Sequence, residues 1–283
     1  MAVEYRSAER HAWGRLLLPW HIVQSLSRHG MLIRQLAKRE ILARYRGSFL
    51  GPLWSLLRPL AMLGVYTLVF GFILEPRLPG GAGSRLEFVL SLFCGLVFFD
   101  FVSECLGLAP ALVLRHPNYV KRVVFPLEIL TVSTVGAALV QLAISLVPFF
   151  IGVAAIRGGI PPTALFLPLV VLPLVLFALA ASWLLSSLGV FVRDINALVP
   201  VATMILLFAS AVFYSLDSVP ERFRGFFLFN PVAVLIDEAR KILLLGVAPS
   251  WVCLAVALAA GTLAATLAYA FFMATKRGFA DVM

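Results

Sequence analysis

The chain has 283 residues, of which 61% are hydrophobic and only 13% are charged. Its mean hydropathy of +1.00 excludes an ordinary soluble globular protein, because such a chain needs far more charge to cover its surface. The formal net charge of +9 would suit a nucleic-acid-binding protein, but nine of the 23 basic residues lie before residue 47, ahead of the first long apolar run. We therefore expect a membrane protein without a nucleic-acid partner.

Residues 1–47 are predicted to form a basic cytoplasmic segment that contacts anionic lipid headgroups. No cleavable signal peptide is visible, since the first apolar run begins near Phe49 and is too long for one. We expect the first span to act as an uncleaved insertion signal. The basic residues of the segment are Arg6, Arg10, Arg15, Arg28, Arg34, Lys38, Arg39, Arg44 and Arg46.

Within this segment, residues 31–46 are predicted to form an amphipathic helix at the membrane surface. At 100° per residue, one arc holds Leu32, Ile33, Leu36, Ala37 and Ala43, and the other holds Arg34, Lys38, Arg39 and Arg46. Glu40 falls among the apolar positions, which indicates that this face meets protein as well as lipid. Two interpretations remain open, an interfacial anchor and a docking surface for a cytoplasmic partner.

Six apolar segments follow, each near the ~20 residues that a helix needs to cross the hydrocarbon core. We place them at 51–74, 87–110, 124–156, 164–191, 197–215 and 250–273. Because lipid-exposed backbone must form its hydrogen bonds within its own segment, the predicted fold class is an all-α integral membrane protein with six transmembrane helices over residues 48–283. Both termini are predicted to be cytoplasmic, because the same side of the membrane receives the basic turn residues Arg115, Lys121, Arg122, Arg193, Lys276 and Arg277.

Two acidic residues, Asp100 and Glu104, stand four apart in the second apolar segment and therefore share a helix face. A charge at mid-span is costly, so such a pair is expected to face a wet cavity or a partner, unless both residues lie nearer an interface. Neighbouring aromatic rings either pack against lipid and other helices or line a channel. The channel-lining candidates are Tyr66, Phe70, Phe98, Phe99, Asp100 and Glu104.

Residues 216–246 are too short, on either side of Asn230-Pro231, for a further pair of spans. Glu221 and Arg224 stand at i,i+3 spacing on a helix, and Asp237 and Lys241 stand at i,i+4 spacing, as in ion pairs. The segment is predicted to form two short helices on the outer side. They either lie on the surface or dip inwards as re-entrant helices that shape a pore exit, with Pro220, Asn230 and Pro231 as the exit-loop candidates.

Several chemistries are not indicated by the sequence. It contains no G-x-x-x-x-G-K-[ST] loop for ATP, no metal-ligand cluster and no nucleophile–base motif. Cys94, Cys105 and Cys253 fall in apolar stretches without metal-binding spacing, so we expect packing roles. A secondary transporter that uses Asp100 and Glu104 remains a rival interpretation, and a membrane enzyme is a weaker one.

The stretch at 36–74 resembles the opening of type-2 ABC exporter permeases that carry bacterial polysaccharides. The matching residues are Arg39-Glu40, Arg44-Tyr45-Arg46, Ser48, Leu50-Gly51, Trp54 and Pro59-Leu60. Further stretches agree in order: Lys121-Arg122 with Phe125-Pro126, Arg193-Asp194-Ile195, Val219-Pro220, Asn230-Pro231 and the closing Gly278-Phe279-Ala280-Asp281-Val282. Two residues depart from the pattern, because Glu40 stands where Asp is commoner and Asp100 where an aromatic residue is expected. Residues 1–27 lie outside the resemblance.

The resemblance implies a homodimer in the bacterial inner membrane that moves a lipid-linked glycan of the O-antigen, capsule or teichoic-acid type. Each subunit would dock a separate cytoplasmic ATPase, which would bind ATP and Mg, while this chain would hold no cofactor or metal and would not be an enzyme by itself. A permease for another lipid or a drug is the alternative within the same architecture. The implied ATPase-docking residues are Arg39, Glu40, Arg44, Tyr45, Arg46, His116, Tyr119, Lys121, Arg122, Arg193 and Asp194.

Overall fold

The computed structural model describes residues 19–44, 47–73, 85–120, 125–214 and 216–282. In these ranges the secondary structure is helical and contains no β-strand, which confirms the all-α prediction. Tyr45, Arg46, Lys121 and Arg122, all predicted to dock a partner, lie outside the described residues, as does the side chain of Phe70.

The N-terminal segment forms two helices in succession, α1 (Pro19–Arg28) and α2 (Gly30–Arg44). The predicted amphipathic helix at 31–46 corresponds to α2. The chain then turns through Gly47 (φ 83°) and Gly51 (φ 50°), a left-handed conformation that costs glycine little. A 3₁₀ turn at Gly51–Leu53 leads into α3 (Trp54–Tyr66), which continues as π-helix over Thr67–Ile73.

The remaining helices form the body of the protein. Two 3₁₀ turns, Pro162–Phe166 and Leu216–Ser218, precede α7 and α9, and a π-helical turn, Lys241–Leu245, follows α10. The helices are α4 (Arg85–Leu112), α5 (Pro117–Val120), α6 (Glu128–Arg157), α7 (Leu167–Phe191), α8 (Ile195–Ala209), α9 (Glu221–Leu228), α10 (Pro231–Arg240), α11 (Trp251–Thr275) and α12 (Phe279–Val282).

Four helical segments are long and apolar enough to cross a membrane, judged by length and composition: Arg85–Leu112, Glu128–Arg157, Pro162–Phe191 and Trp251–Val282. Two shorter apolar helices cover Trp54–Val69 and Ile195–Ala209. Each of the six predicted apolar segments is therefore helical, and four of them have the full length of a span.

The fifth predicted segment, 197–215, is shorter than expected, because α8 ends at Ala209. The chain leaves the helix through a turn in which Ala211 has a positive φ of 51°. Hydrogen bonds explain this early end, since Asn230 donates to the Ala209 carbonyl (2.9 Å) and Arg240 donates to carbonyls of the turn. Hydropathy alone could not show these distant partners.

Helix α4 is the centre of the bundle. In its most apolar 18-residue window 67% of the residues are buried, against 28–33% for the other three long helices. It packs against α3, α6, α7, α8 and α10. Helix α7 approaches α4 closely at Gly189, where a Cβ would lie 2.2 Å from the Pro110 carbonyl oxygen of α4. Glycine at this position therefore permits the contact.

Contacts between helix ends define two ends of the bundle. At the first, which we call the α2 end, Arg44 pairs with Glu104 of α4, and Lys276, after α11, pairs with Glu128 of α6 at 2.7 Å. At the second, the α10 end, Arg157 of α6 pairs with Glu87 of α4 at 3.1 Å. Helix α1 also packs against α11. The described N-terminal and C-terminal residues thus lie at the same end of the bundle.

Candidate functional site

A cavity of about 500 Å³ lies between α3, α4 and α6, towards the α2 end of the bundle. Its wall mixes charged and polar side chains with apolar ones. The polar lining residues are Arg44, Arg58, Tyr66, Asp100, Ser103, Glu104, Gln141 and Ser145. An acidic side chain in an apolar helix is less costly where it faces a partly polar cavity.

Both predicted acids line this cavity, and each faces an arginine. Glu104 forms an ion pair with Arg44 of α2, and the two side chains are each 24% exposed. Asp100 lies in the favourable field of Arg58 from α3. The ion pair with α2 reduces the cost of placing Glu104 in the bundle, and the charge of Arg58 acts in the same direction on Asp100.

Gln141 supplies the polar contact on the α6 side of the cavity. Its Nε2 donates to the Ser55 carbonyl of α3 at 2.9 Å and to Ser145 Oγ at 3.4 Å. The bond to Ser55 ties the start of α3 to α6. Arg58 and Gln141 were not predicted as site residues, although an arginine and a glutamine inside two apolar segments were a usable signal.

The predicted aromatic lining is only partly found in this cavity. Tyr66 lies on its wall, at the end of α3. Phe98 and Phe99 instead belong to the hydrophobic core, with 1% and 4% of their surface exposed. The cavity wall does not include these two rings, whereas the equally buried Phe93 and Phe101 do line it.

Helix α2 is held against the bundle by polar contacts as well as apolar packing. Thr134 Oγ1 of α6 donates to the two carboxylate oxygens of Glu40 at 3.0 and 3.1 Å. Burial raises the pKa of Glu40 above its ordinary value, although the Thr134 hydrogen bond and nearby Arg44 act in the opposite direction. The expectation that Glu40 marks a protein-facing side of this helix is confirmed.

The opposite face of α2 remains exposed. It presents Arg34, Gln35, Lys38 and Arg39 at helical spacing, with Met31 and Leu42 at its two ends. Helix α2 thus packs on α6 with one face and presents exposed basic side chains on the other.

An aromatic stack connects α2 to the turn around α5. His116 and Tyr119 stack with ring centroids 5.4 Å apart, and Tyr119 stacks on Phe125 at 4.2 Å. Arg39 Nη1 donates to Tyr119 Oη at 3.4 Å. Three predicted docking residues, Arg39, His116 and Tyr119, are therefore brought together on one surface.

Arg193 and Asp194 lie apart from this stack, in the turn between α7 and α8. Both are exposed. They belong to the same end of the bundle, because the C-terminal part of α7 packs on that of α4 through Gly189 and Pro110.

The α10 end carries the two short helices predicted at 216–246. Asn230 separates them: its Oδ1 accepts from Val232 N at 3.0 Å and caps α10, with Pro231 at the first helical position. Pro220 precedes α9 and lies on the rim of a shallow aromatic hollow of about 480 Å³ with Phe223, Phe226 and Phe227. The predicted Asp237–Lys241 ion pair is confirmed at 3.0 Å.

Among the described residues, no group of three or more His, Cys, Asp or Glu side chains could hold a metal ion. The three cysteines are free thiols, and Cys94 and Cys105 are buried.

Comparisons with known proteins agree with this arrangement. A family model described as "ABC-2 type transporter" matches residues 31–244. The chain is 30% identical over 224 residues to the O-antigen export system permease protein RfbA of Myxococcus xanthus, covering 78% of this chain and 83% of that protein. It is 22% identical over 254 residues to a permease of the same name from Klebsiella pneumoniae, covering 89% and 95%. It is also 24% identical over 217 residues to the polysialic acid transport protein KpsM of Escherichia coli, covering 76% and 81%. Because the family model matches well over half of its length, this chain belongs to the ABC-2 type transporter family.

Proposed function

We propose that this chain is the membrane permease subunit of an ATP-driven exporter that moves a lipid-linked polysaccharide across the bacterial inner membrane. The observation that carries the proposal is its membership of the ABC-2 type transporter family together with relatives named for O-antigen export and polysialic acid transport. A glycan cannot cross hydrocarbon unaided, so the chain must supply a polar path. The cavity around Asp100 and Glu104 supports such a path from the α2 end.

The proposed topology has six spans, with α3 and α8 joining the four long helices, and with α9 and α10 shaping the exit. The charge distribution supports a cytoplasmic α2 end, because cytoplasmic loops of membrane proteins are rich in lysine and arginine. The α10 end has fewer described basic residues, namely Arg85, Arg157, Arg222, Arg224, Arg240 and Lys241. The α2 end carries Arg28, Arg34, Lys38, Arg39, Arg44, Arg115, Arg193, Lys276 and Arg277.

The proposed assembly is a homodimer in which two copies enclose the channel. The shorter helices α3 and α8 support it, because both present uncovered apolar side chains. On α3 and its π-helical continuation these include Leu60, Val65 and Leu68, and on α8 they include Leu198, Val201 and Ile205.

The proposed ATPase is a separate cytoplasmic subunit, which would hold ATP and Mg and dock at the basic face of α2 and the turn around α5. The stack of Arg39, Tyr119 and His116 supports this assignment, because it joins the two elements mechanically. Movement of the turn would reach α4 directly along the chain and also through the Arg44–Glu104 ion pair.

A secondary transporter driven by protons is the weaker candidate. It would need an acid whose charge changes during transport. Glu104 is paired with Arg44, and Asp100 lies in the field of Arg58. The ion pair accounts for Glu104 without proton transport, and the family and its named relatives favour the exporter over this candidate.

The test is reconstitution of the chain with its co-purified ATPase subunit in liposomes that contain the lipid-linked glycan. We expect the glycan to stimulate ATP hydrolysis and to appear on the opposite side of the membrane. Charge reversal by Arg39→Glu should weaken co-purification of the ATPase, whereas Arg157→Glu at the α10 end is the matched control and should not. Transport driven by a proton gradient without any ATPase, and abolished by Asp100→Asn, would overturn the proposal.

A further inference from the structure

The guanidinium of Arg240 is buried at the α10 end, with only 7% of the residue exposed. Its Nε donates to the Ser91 carbonyl of α4 at 3.1 Å, and its Nη1 donates to the carbonyls of Ala211 (2.7 Å) and Tyr214 (3.0 Å). Its Nη2 donates to the Val212 carbonyl. All four of these acceptors are backbone carbonyl oxygens, so the Arg240 side chain holds backbone segments in place and, among the described residues, does not pair with another side chain.

These acceptors belong to two different spans. Ser91 lies in the first turns of α4, and residues 211–214 form the turn that ends α8. A positive charge is favourable at the C-terminal end of a helix such as α8, where unpaired carbonyls carry partial negative charge. Arg240 thus connects three elements: α10, the start of α4 and the end of α8.

The absence of a side chain at Gly95 leaves space for the Arg240 guanidinium. A Cβ on Gly95 would lie 2.7 Å from Nη2 of Arg240 and 3.1 Å from the Val212 carbonyl oxygen. Glycine at position 95 is therefore needed for the guanidinium to reach the turn after α8.

Two further contacts fix the rest of α10. At its start, Asn230 Nδ2 donates to the Ala209 carbonyl at 2.9 Å. Near its end, Glu238, which is 2% exposed, accepts from the backbone N–H of Ser250 at 2.8 Å, immediately before α11. Helix α10 is thus bound to the ends of α4, α8 and α11, whereas α9 is largely exposed, with Phe226 67% exposed.

We propose that Arg240 is a positioning residue that passes movement of α4 to the exit helix α10 and to the end of α8. The inference rests on the proposed function, because it assigns the ATPase to the opposite end of α4. Helix α4 is a single helix of 28 residues, joined at its cytoplasmic end to the α5 turn and bound at its outer end by Arg240. A displacement imposed at one end of a rigid, buried helix reaches the other end, where Arg240 makes α10 and the α8 turn follow it.

The functional test compares Arg240→Met with Arg157→Met in the full exporter reconstituted with its ATPase. Arg157 is the matched control, since it is an arginine at the same end whose ion pair lies on the surface. We expect Arg240→Met to keep ATP hydrolysis within about twofold of wild type but to lower glycan export at least about tenfold, as expected from losing charge-assisted hydrogen bonds. Arg240→Lys, which keeps the charge but offers one nitrogen, should export at an intermediate rate.

A second variant protects the test against a folding defect. Gly95→Ala keeps Arg240 but displaces its guanidinium, and should give the same loss of export with continued hydrolysis. Parallel loss of export and hydrolysis in both variants would indicate a merely structural role and overturn the proposal. Wild-type export in Gly95→Ala would overturn the proposal as well. This result would decide the question even if Arg240→Met failed to assemble.

Amide hydrogen exchange on the chain in lipid nanodiscs tests the connection without relying on transport. In Arg240→Met we expect at least about tenfold faster exchange in 211–214 and 232–240, with α7 and α11 unchanged. Unchanged exchange in these two stretches would refute the connection itself. If the wild-type protein exports no glycan, the proposed function fails while this result still reports on Arg240.

Discussion

The ion pair between Arg44 and Glu104 should hold helix α2 against the bundle, and Glu104→Gln tests this. The substitution keeps the size of the side chain and one hydrogen-bond acceptor but removes the negative charge. Arg44 would then remain partly buried without its carboxylate. We expect α2 to open locally more often, while the rest of the bundle keeps its packing.

The size of the effect follows from the exposure of the pair. Each side chain is 24% exposed. A fully exposed pair contributes about 0–1 kcal/mol, and breaking a fully buried pair costs about 3–5 kcal/mol. The loss at this intermediate burial is about 2 kcal/mol. Because about 1.4 kcal/mol is a factor of ten in an equilibrium constant, the opening of α2 should become about 30-fold more frequent.

Amide hydrogen exchange of residues 33–44 in detergent or nanodiscs measures this opening. Glu87→Gln is the matched control, since Glu87 pairs with an arginine at the other end of the same helix α4. Replacing both partners, as in Arg44→Met with Glu104→Gln, should restore much of the protection, because no uncompensated cation remains.

The reasoning would be refuted in two ways. Exchange in α2 could stay within about threefold of wild type in Glu104→Gln, in which case the ion pair contributes no more than a surface pair. Alternatively, Glu87→Gln could accelerate α2 by the same factor, which would show a general loosening of α4 rather than a local contact.

Three further changes have distinct expected results. Burial raises the pKa of Glu40 above the ordinary 4.5, so α2 should dock more firmly as the pH falls through the raised pKa and less firmly as the carboxyl ionises above it. Amide exchange of α2, corrected for the intrinsic pH dependence of exchange, measures this change, and Glu40→Gln should abolish it. Gly189→Ala on α7 places a methyl group 2.2 Å from the Pro110 carbonyl oxygen of α4, so the melting temperature should fall by the equivalent of about 1–3 kcal/mol. Gly107→Ala on α4 has open space and should not lower it. Asn230→Ala removes both the cap of α10 and the bond to α8 and should cost about 1–2 kcal/mol, while Asn230→Asp keeps the cap and should lose less in the same melting experiment.

Hydropathy and turn signals predicted much of the architecture. The six apolar segments are all helical, the amphipathic segment at 31–46 corresponds to α2, and Asn230-Pro231 separates α9 from α10. These features depend on interactions between residues close in sequence, such as hydrogen bonds within one helix and a cap on the next. For the same reason Asp237 and Lys241 could be paired from their spacing alone.

Hydropathy and turn signals could not predict contacts between residues that are distant in the sequence. The sequence gives no sign that Glu104 would meet Arg44, 60 positions earlier, or that Arg240 would reach the carbonyls of 211–214. The burial of Phe98 and Phe99 likewise depends on which faces of α4 are covered by other helices. An aromatic residue beside an acid is equally compatible with a channel wall and with a packed core, so only the tertiary arrangement separates the two.

Helix α8 has consequences for the lipid around it. It contains 15 residues, so it is only about 22 Å long at about 1.5 Å per residue, whereas the hydrocarbon core is about 30 Å thick. In the proposed six-span topology, the bilayer must thin locally where acyl chains contact the exposed face of α8, at a cost of fractions of a kcal/mol for each ångström. A second copy of the chain that covers this face would relieve the deformation. Bilayers with longer acyl chains should therefore favour the proposed dimer over the monomer.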